Sequence, residues 1–373
     1  MKNLYLALLM SSFLLFLGCA AKQNYQVVGY LPSWVNWEVQ DIDAAKLTIL
    51  KYSFLEINNN EVILGKGSSK YSFLENLQKV QAIKQENPNL QLIVSVGGWG
   101  VDGFSQAAST QKSREIFARS VANFLSEYNF DGVDIDWEFP LTGAGGVIAY
   151  SPNDRENFVL LIEEIRNQLS ILGFQTNKYY TISVAVGIGV SSLKGVDFKA
   201  MEQYVDYFGV MSYNLVGTFS NKTGSHVALY KGESSWSIDD GLNLILSSGI
   251  NPNKLILGIA FYGRPLGEVE GNTKTGLYQD FKGNAGKNSA SYGYIKENYL
   301  KNADFKVFFD KKTKATYAYN KNERIFVSYH DPKSIRELMK YMKNKKMGGV
   351  LIWEITQDDK SHTLLNTINN EVK

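Results

Sequence analysis

Four acids crowd into the stretch Phe130-Asp131-Gly132-Val133-Asp134-Ile135-Asp136-Trp137-Glu138-Phe139-Pro140. Read as a β-strand, its period of two puts Asp134, Asp136 and Glu138 on one face and Val133, Ile135 and Trp137 on the other. On a buried face, like charges this close cannot all ionise, so at least one carboxyl should keep its proton near neutral pH. Such a carboxyl can serve as a general acid. Two blander readings compete. A solvated acidic face would usually mix charge signs, and here the flanks read as core. A divalent-cation site needs hard oxygen ligands, but cation loops tend to be rich in Gly and Asn, not Val, Ile and Trp. Asp131 has the opposite parity and suits a structural role at the strand's start.

The elements that would position these acids follow a regular rhythm. Eight short apolar runs read as strands: Val27-Leu31, Thr48-Phe54, Leu92-Val96, Gly132-Trp137, Thr181-Val186, Tyr207-Ser212, Leu255-Phe261 and Gly349-Trp353. Helical patterns alternate with them, clearest at Phe73-Lys84, Ser113-Tyr128, Asp154-Leu172, Ile238-Ser248 and Ser334-Asn344. Ser151-Pro152 reads as a cap and first-turn proline, and Gly173 as the end of that helix. Eight β/α units predict an α/β fold, the (β/α)8 TIM barrel, whose chemistry sits at the C-terminal ends of the strands. Glu138 falls just past the end of the fourth. Tyr30 and Phe54 lie near the ends of the first two strands and could line a floor. From Gly263 to Tyr329 the rhythm breaks, and a small α+β insertion between strands 7 and 8 is the better reading than a long bare loop.

Residues 1–18 have one positive charge and then an apolar run from Leu4 to Leu17, which predicts an export signal too short to span a membrane. Leu17-Gly18-Cys19 resembles a bacterial lipobox, so Cys19, the only cysteine, is expected to carry lipid. Residues 19–26 would be a tether, 27–262 and 330–373 the barrel, and 263–329 the insertion. Without another thiol, no disulfide can form inside the folded part. Hydrophobic residues at 44% and charged residues at 20% allow a large core and exclude global disorder. The net charge of +2 gives no case for nucleic acid, and Lys343-Asn344-Lys345-Lys346 reads as a solvated helix end. The expected species is an exported monomer, either held on a membrane only through a lipid at Cys19 or secreted.

Asp131-x-x-Asp134-x-Asp136-x-Glu138 resembles the DxxDxDxE signature of glycoside hydrolase family 18, the chitinase family, and Ser95-Val96-Gly97-Gly98 resembles its SxGG motif. The likeness extends from Gly29-Tyr30 to Trp353. It implies that Glu138 is the acid that protonates a glycosidic oxygen and then the base toward water. The substrate's own N-acetyl oxygen would be the nucleophile, giving an oxazolinium ion with retention of configuration. Asp136 would hold the acetamide N–H and Asp134 would tune Asp136 or share a proton with it. Met211-Ser212-Tyr213-Asn214 is similar to the family's Met-x-Tyr-Asp. Tyr213 would contact the acetamide oxygen, while Asn214 can hydrogen-bond sugar but adds no negative charge. Trp353 would be the floor beneath the sugar. Trp99, Tyr262 and Arg264 would be further substrate contacts, the last two within Gly258-Ile259-Ala260-Phe261-Tyr262-Gly263-Arg264.

The resemblance implies a chitinase acting on chitin or N-acetylglucosamine oligosaccharides, with no metal or cofactor. Two alternatives stay open: an endo-β-N-acetylglucosaminidase acting on N-glycans, and a non-catalytic chitin-binding lectin, against which Glu138 argues. Trp34, Trp37 and Trp236 could extend the cleft, although loop tryptophans are often just packed. His226 and His330 read as makers of structural hydrogen bonds.

Overall fold

The computed structural model describes residues 24–65, 70–234, 236–271 and 273–373. The signal-like run and Cys19 lie outside these residues. Eight parallel strands form the centre: β1 (Gln26–Pro32), β2 (Ile49–Asn58), β4 (Gln91–Gly97), β5 (Gly132–Asp136), β6 (Thr181–Gly187), β7 (Tyr207–Met211), β8 (Leu255–Ala260) and β14 (Gly349–Trp353), with β3 (Glu61–Leu64) outside the ring. They run in the order β1-β14-β8-β7-β6-β5-β4-β2, and β1 pairs back onto β2 to close the barrel. The strands are buried on both faces because helices cover the outside, and so their sequences are nearly all apolar.

Parity divides each strand's work. On β5, Val133 and Ile135 point outward into the main core, shared with Phe117, Val121 and Leu161 of the covering helices. The inward side chains are fewer, and a small separate cluster (Val28, Tyr30, Ile49, Ile93, Tyr207, Ile256 and Leu351) fills the barrel's lower interior. Above that cluster the interior turns polar at Lys51, Ser95, Asp134 and Ser183, all fully buried.

The helices follow the sequence reading with local differences. Gln111–Tyr128 starts at a Thr110 side-chain cap, and Pro332–Asn344 starts with proline in its first turn after an Asp331 cap. The helix from Asp154 does not end at Gly173 but continues to Thr176 and stops at Asn177, whose φ of 51° is left-handed. Gly173 serves a close approach instead, since a Cβ there would lie 2.6 Å from the Lys178 carbonyl oxygen. Ser151 is not the cap either. Its N–H donates to Asp154, and the residue before the helix is Asn153, with no side-chain cap.

Two further elements escaped the periodicity. β2 runs past the barrel and folds back onto β3 through Asn59-Asn60, both left-handed. A final helix spans Thr363–Val372.

Between β8 and β14 lies an antiparallel sheet of β9 (Tyr262–Leu266), β10 (Ala290–Ser291), β11 (Phe305–Asp310), β12 (Ala315–Asn320) and β13 (Ile325–Tyr329), in the order β10-β9-β13-β12-β11. Only Phe261 separates β9 from β8. The sheet therefore grows directly from the C-terminal end of a barrel strand.

Candidate active site

The acids of β5 climb from the barrel's interior into a cleft of ≈ 1000 Å³ at its C-terminal end. Asp134 is lowest and wholly buried. Its Oδ2 accepts from Tyr30 Oη at 2.7 Å and Ser95 Oγ at 2.9 Å. Its Oδ1 accepts from Lys51 Nζ at 2.7 Å and Ser183 Oγ at 2.6 Å. Among the described residues its hydrogen-bond partners are four donors and no acceptor, the setting of an acceptor-only carboxylate.

Asp136, one step up, is 3% exposed and lines the cleft. Its Oδ1 is buried with no hydrogen-bond partner among the described residues. Burial first, then Glu138 and Asp134, push its carboxyl well above the usual carboxylate range, with Lys51 pulling the other way. Glu138 keeps part of its surface open to the cleft, yet burial still raises it from 4.5 to about 7. A carboxyl poised there can both give and take a proton near neutrality. Asp131, at the foot of the strand, pairs with Lys84 and accepts the Leu92 N–H at 2.9 Å.

The glycines of Ser95-Val96-Gly97-Gly98 let β4 close against this ladder. A Cβ on Gly97 (φ 111°) would lie 2.1 Å from the Asp136 carbonyl oxygen, and one on Gly98 (φ 89°) would lie 2.6 Å from the Phe54 ring. The Gly98 N–H donates to that same Asp136 carbonyl at 2.9 Å.

Around the acids the cleft is aromatic and hydrogen-bonding. Trp353 and Phe54 stack at 5.7 Å, and Trp34 stacks on Phe54 at 5.9 Å. Trp99, 65% exposed, meets Phe139 edge-on. Tyr213 is buried and stands edge-on to Tyr262. Asn214 Oδ1 accepts from Tyr262 Oη at 2.7 Å and from Arg264 Nε at 3.1 Å and Nη2 at 2.8 Å. Three peptide bonds here are cis: Ser53-Phe54, Glu138-Phe139 and Trp353-Glu354.

The structure thus gathers Phe54, Trp99, Asp136, Glu138, Tyr213, Asn214, Tyr262, Arg264 and Trp353 around one cleft. Tyr30 is a correction. It lies two residues inside the end of β1, is 2% exposed, and sits under Trp353 at 5.2 Å instead of lining the floor. Trp37 is a second, being 2% exposed in the main core, while Trp34 and Trp236 do reach the cleft. The His226 ring makes no hydrogen bond among the described residues, contrary to expectation, whereas His330 Nδ1 lies 3.2 Å from Ser334 Oγ.

Lys51, Ser183 and Tyr207 were missed. Lys51 is wholly buried, bonds Asp134 and lies over the Tyr30 and Tyr207 rings at 4.8 and 5.1 Å. A lysine in the middle of an apolar strand was the available signal.

Fold and cleft together define a TIM-barrel protein whose strand ends hold a high-pKa carboxyl pair over an aromatic floor. The chain belongs to the glycosyl hydrolases of family 18, whose family model it matches over residues 26–358. It is 28% identical to Chitinase A1 of Niallia circulans, over 99% of this chain and 62% of that protein, and so spans less than two thirds of that relative. Among solved structures, chitinase ChiW from Paenibacillus sp. str. FPU-7 superimposes with a TM-score of 0.86 at 35% identity, over 93% of this chain and 42% of that one. A family 18 N-acetylglucosaminidase from Paenibacillus barengoltzii superimposes with a TM-score of 0.84 at 32% identity, over 93% of this chain and all (100%) of that one.

Proposed function

We propose that this protein is a chitinase that hydrolyses β-1,4 links between N-acetylglucosamine units with retention of configuration. The observation that carries the reading is the orphaned Asp136 Oδ1, a buried acceptor in the cleft without a donor among the described residues. Such an atom is costly unless a ligand completes it. An acetamide N–H would do so, beside the acid Glu138.

Glu138 gives its proton to the glycosidic oxygen as the acetamide oxygen attacks C1. The C1–O bond breaks and the first product leaves with the proton. Asp136 then faces the positive oxazolinium ion. Water attacks C1 from the vacated side, Glu138 takes its proton, and the acetamide is released. Holding the acetamide against C1 gives the nucleophile a high effective molarity. Tyr213 and Trp353 orient the acetamide and carry the sugar's face.

A second reading has one observation behind it. The Paenibacillus barengoltzii N-acetylglucosaminidase is matched over its whole length (100%), which favours release of single N-acetylglucosamine units. Mass spectrometry of products from N-acetylglucosamine oligomers and a high-mannose glycoprotein, offered side by side, tests both. Cleavage of oligomers alone supports the chitinase, and monomer as the first product supports the second reading. Glycan release alone makes the enzyme an endo-β-N-acetylglucosaminidase. Binding without cleavage makes it a lectin.

We also propose export as a monomer anchored by lipid at Cys19. Cys19→Ala should release the protein from membranes, and palmitate labelling that survives this change would overturn the anchor.

A further inference from the structure

His226 is wholly buried, and neither ring nitrogen has a hydrogen-bond partner among the described residues. The Tyr262 backbone approaches the ring without reaching hydrogen-bond geometry. A buried imidazole with no partner is a cost, so its surroundings should show what it does. Its ring packs against Tyr262 at 5.3 Å. Its carbonyl accepts the N–H of Leu215, the neighbour of Asn214, at 3.0 Å. Its own N–H donates to Ser328 Oγ on β13 at 3.0 Å. His226 is therefore where the insertion sheet, the segment after β7 and the cleft wall meet.

That wall ends in Asn214. Its Oδ1 takes all three donors from Tyr262 and Arg264. The amide orientation follows, because a flipped carboxamide would set N–H groups against a guanidinium. The group left for a ligand is the Nδ2 amide, at an exposed position on the cleft.

We propose that His226 is a positioning residue: packed behind Tyr262, it fixes the Tyr262–Arg264–Asn214 wall so that Asn214 meets the saccharide as an amide donor. This rests on the proposed reading of the cleft as an N-acetylglucosamine site. Arg264 and Tyr262 from β9, and His330 after β13, are the titratable groups that face the ring. Burial, Arg264 and His330 all hold its pKa well down, so it works as a neutral ring.

The test takes kcat and KM separately on N-acetylglucosamine oligomers. His226→Ala should raise KM about tenfold, the worth of one hydrogen bond, with a smaller change in kcat. His226→Phe, which keeps a ring on Tyr262, should recover most of the loss. In an Asn214→Ala background, His226→Ala should add nothing to KM. An unchanged KM, or the same rise in that background, overturns the proposal.

A readout without turnover is the Asn214 side-chain 15N–1H signal, assigned by its loss in Asn214→Asp. It should move in His226→Ala and return in His226→Phe; a signal that stays put overturns the proposal. Should His226→Ala not fold, His226→Leu takes its place. Wild-type protein that leaves the oligomers intact counts against the proposed substrate, and the amide signal then decides on His226 alone.

Discussion

Glu138 and Asp136 share a face, and burial raises both carboxyls. Glu138 sits at about 7 because burial disfavours its charge. In the proposed role of acid it must be protonated, so activity should fall as pH rises through about 7. Glu138→Gln should lose about 10²–10⁴-fold in turnover while oligomer binding, followed by calorimetry, stays. The same shift fixes a stability slope. Between 4.5 and about 7 the folded protein holds a proton that the unfolded chain releases, so the stability from this group is present below that window and lost as pH rises through it. Glu138→Gln should therefore melt higher than wild type at pH 8 and equally at pH 4, with a gap of roughly 2–4 °C. Lys51 sets a second test. Removing it with Lys51→Met strands a buried Asp134 charge and should cost about 3–5 kcal/mol in urea unfolding; a loss below about 1 kcal/mol would contradict the pairing. The acid ladder was legible because a period of two is enough to stack Asp134, Asp136 and Glu138. Its four donors were not, since Tyr30, Lys51, Ser95 and Ser183 come from four other strands whose register no single segment reveals.

At the scale of the element, the strands were readable because burial on both faces demands Val, Ile and Leu with little interruption. What failed was local. Gly173 looked like a stop, but glycine is required there for an approach to Lys178. Tyr30 looked like a strand end because the pattern did not show β1 running on to Pro32. The glycines of β4 allow a sharper test. Gly97→Ala would combine left-handed backbone with a Cβ 2.1 Å from the Asp136 carbonyl oxygen. Gly249→Ala meets a left-handed φ of 78° but nothing within 4 Å. The second should cost about 1 kcal/mol, and the first more than about 3, with activity lost alongside because Asp136 moves. Equal costs in urea unfolding would mean that the contact between β4 and β5 is not what Gly97 serves.

For the molecule as a whole, the insertion is tied to the barrel by packing as well as by chain. Ala318, Val327 and Tyr329 from its sheet belong to the same buried cluster as barrel residues Val133 and Leu257. A smaller cluster joins Val216, after β7, to Leu266, Tyr319 and Phe326. Differential scanning calorimetry should then show one transition for the barrel and sheet together. Two separated transitions would mean that the sheet folds as a unit of its own. The sequence revealed where the barrel rhythm broke but not this shared core, because the residues that join the two come from strands far apart in the chain.

The proposed cleavage retains configuration through the substrate's own acetamide. The most direct measurement is proton NMR of the anomeric signals in the first minutes of N-acetylglucosamine oligomer cleavage. Retention predicts that the new reducing end appears first as the β-anomer and only later mutarotates to α. First appearance of the α-anomer would rule out the retaining reaction.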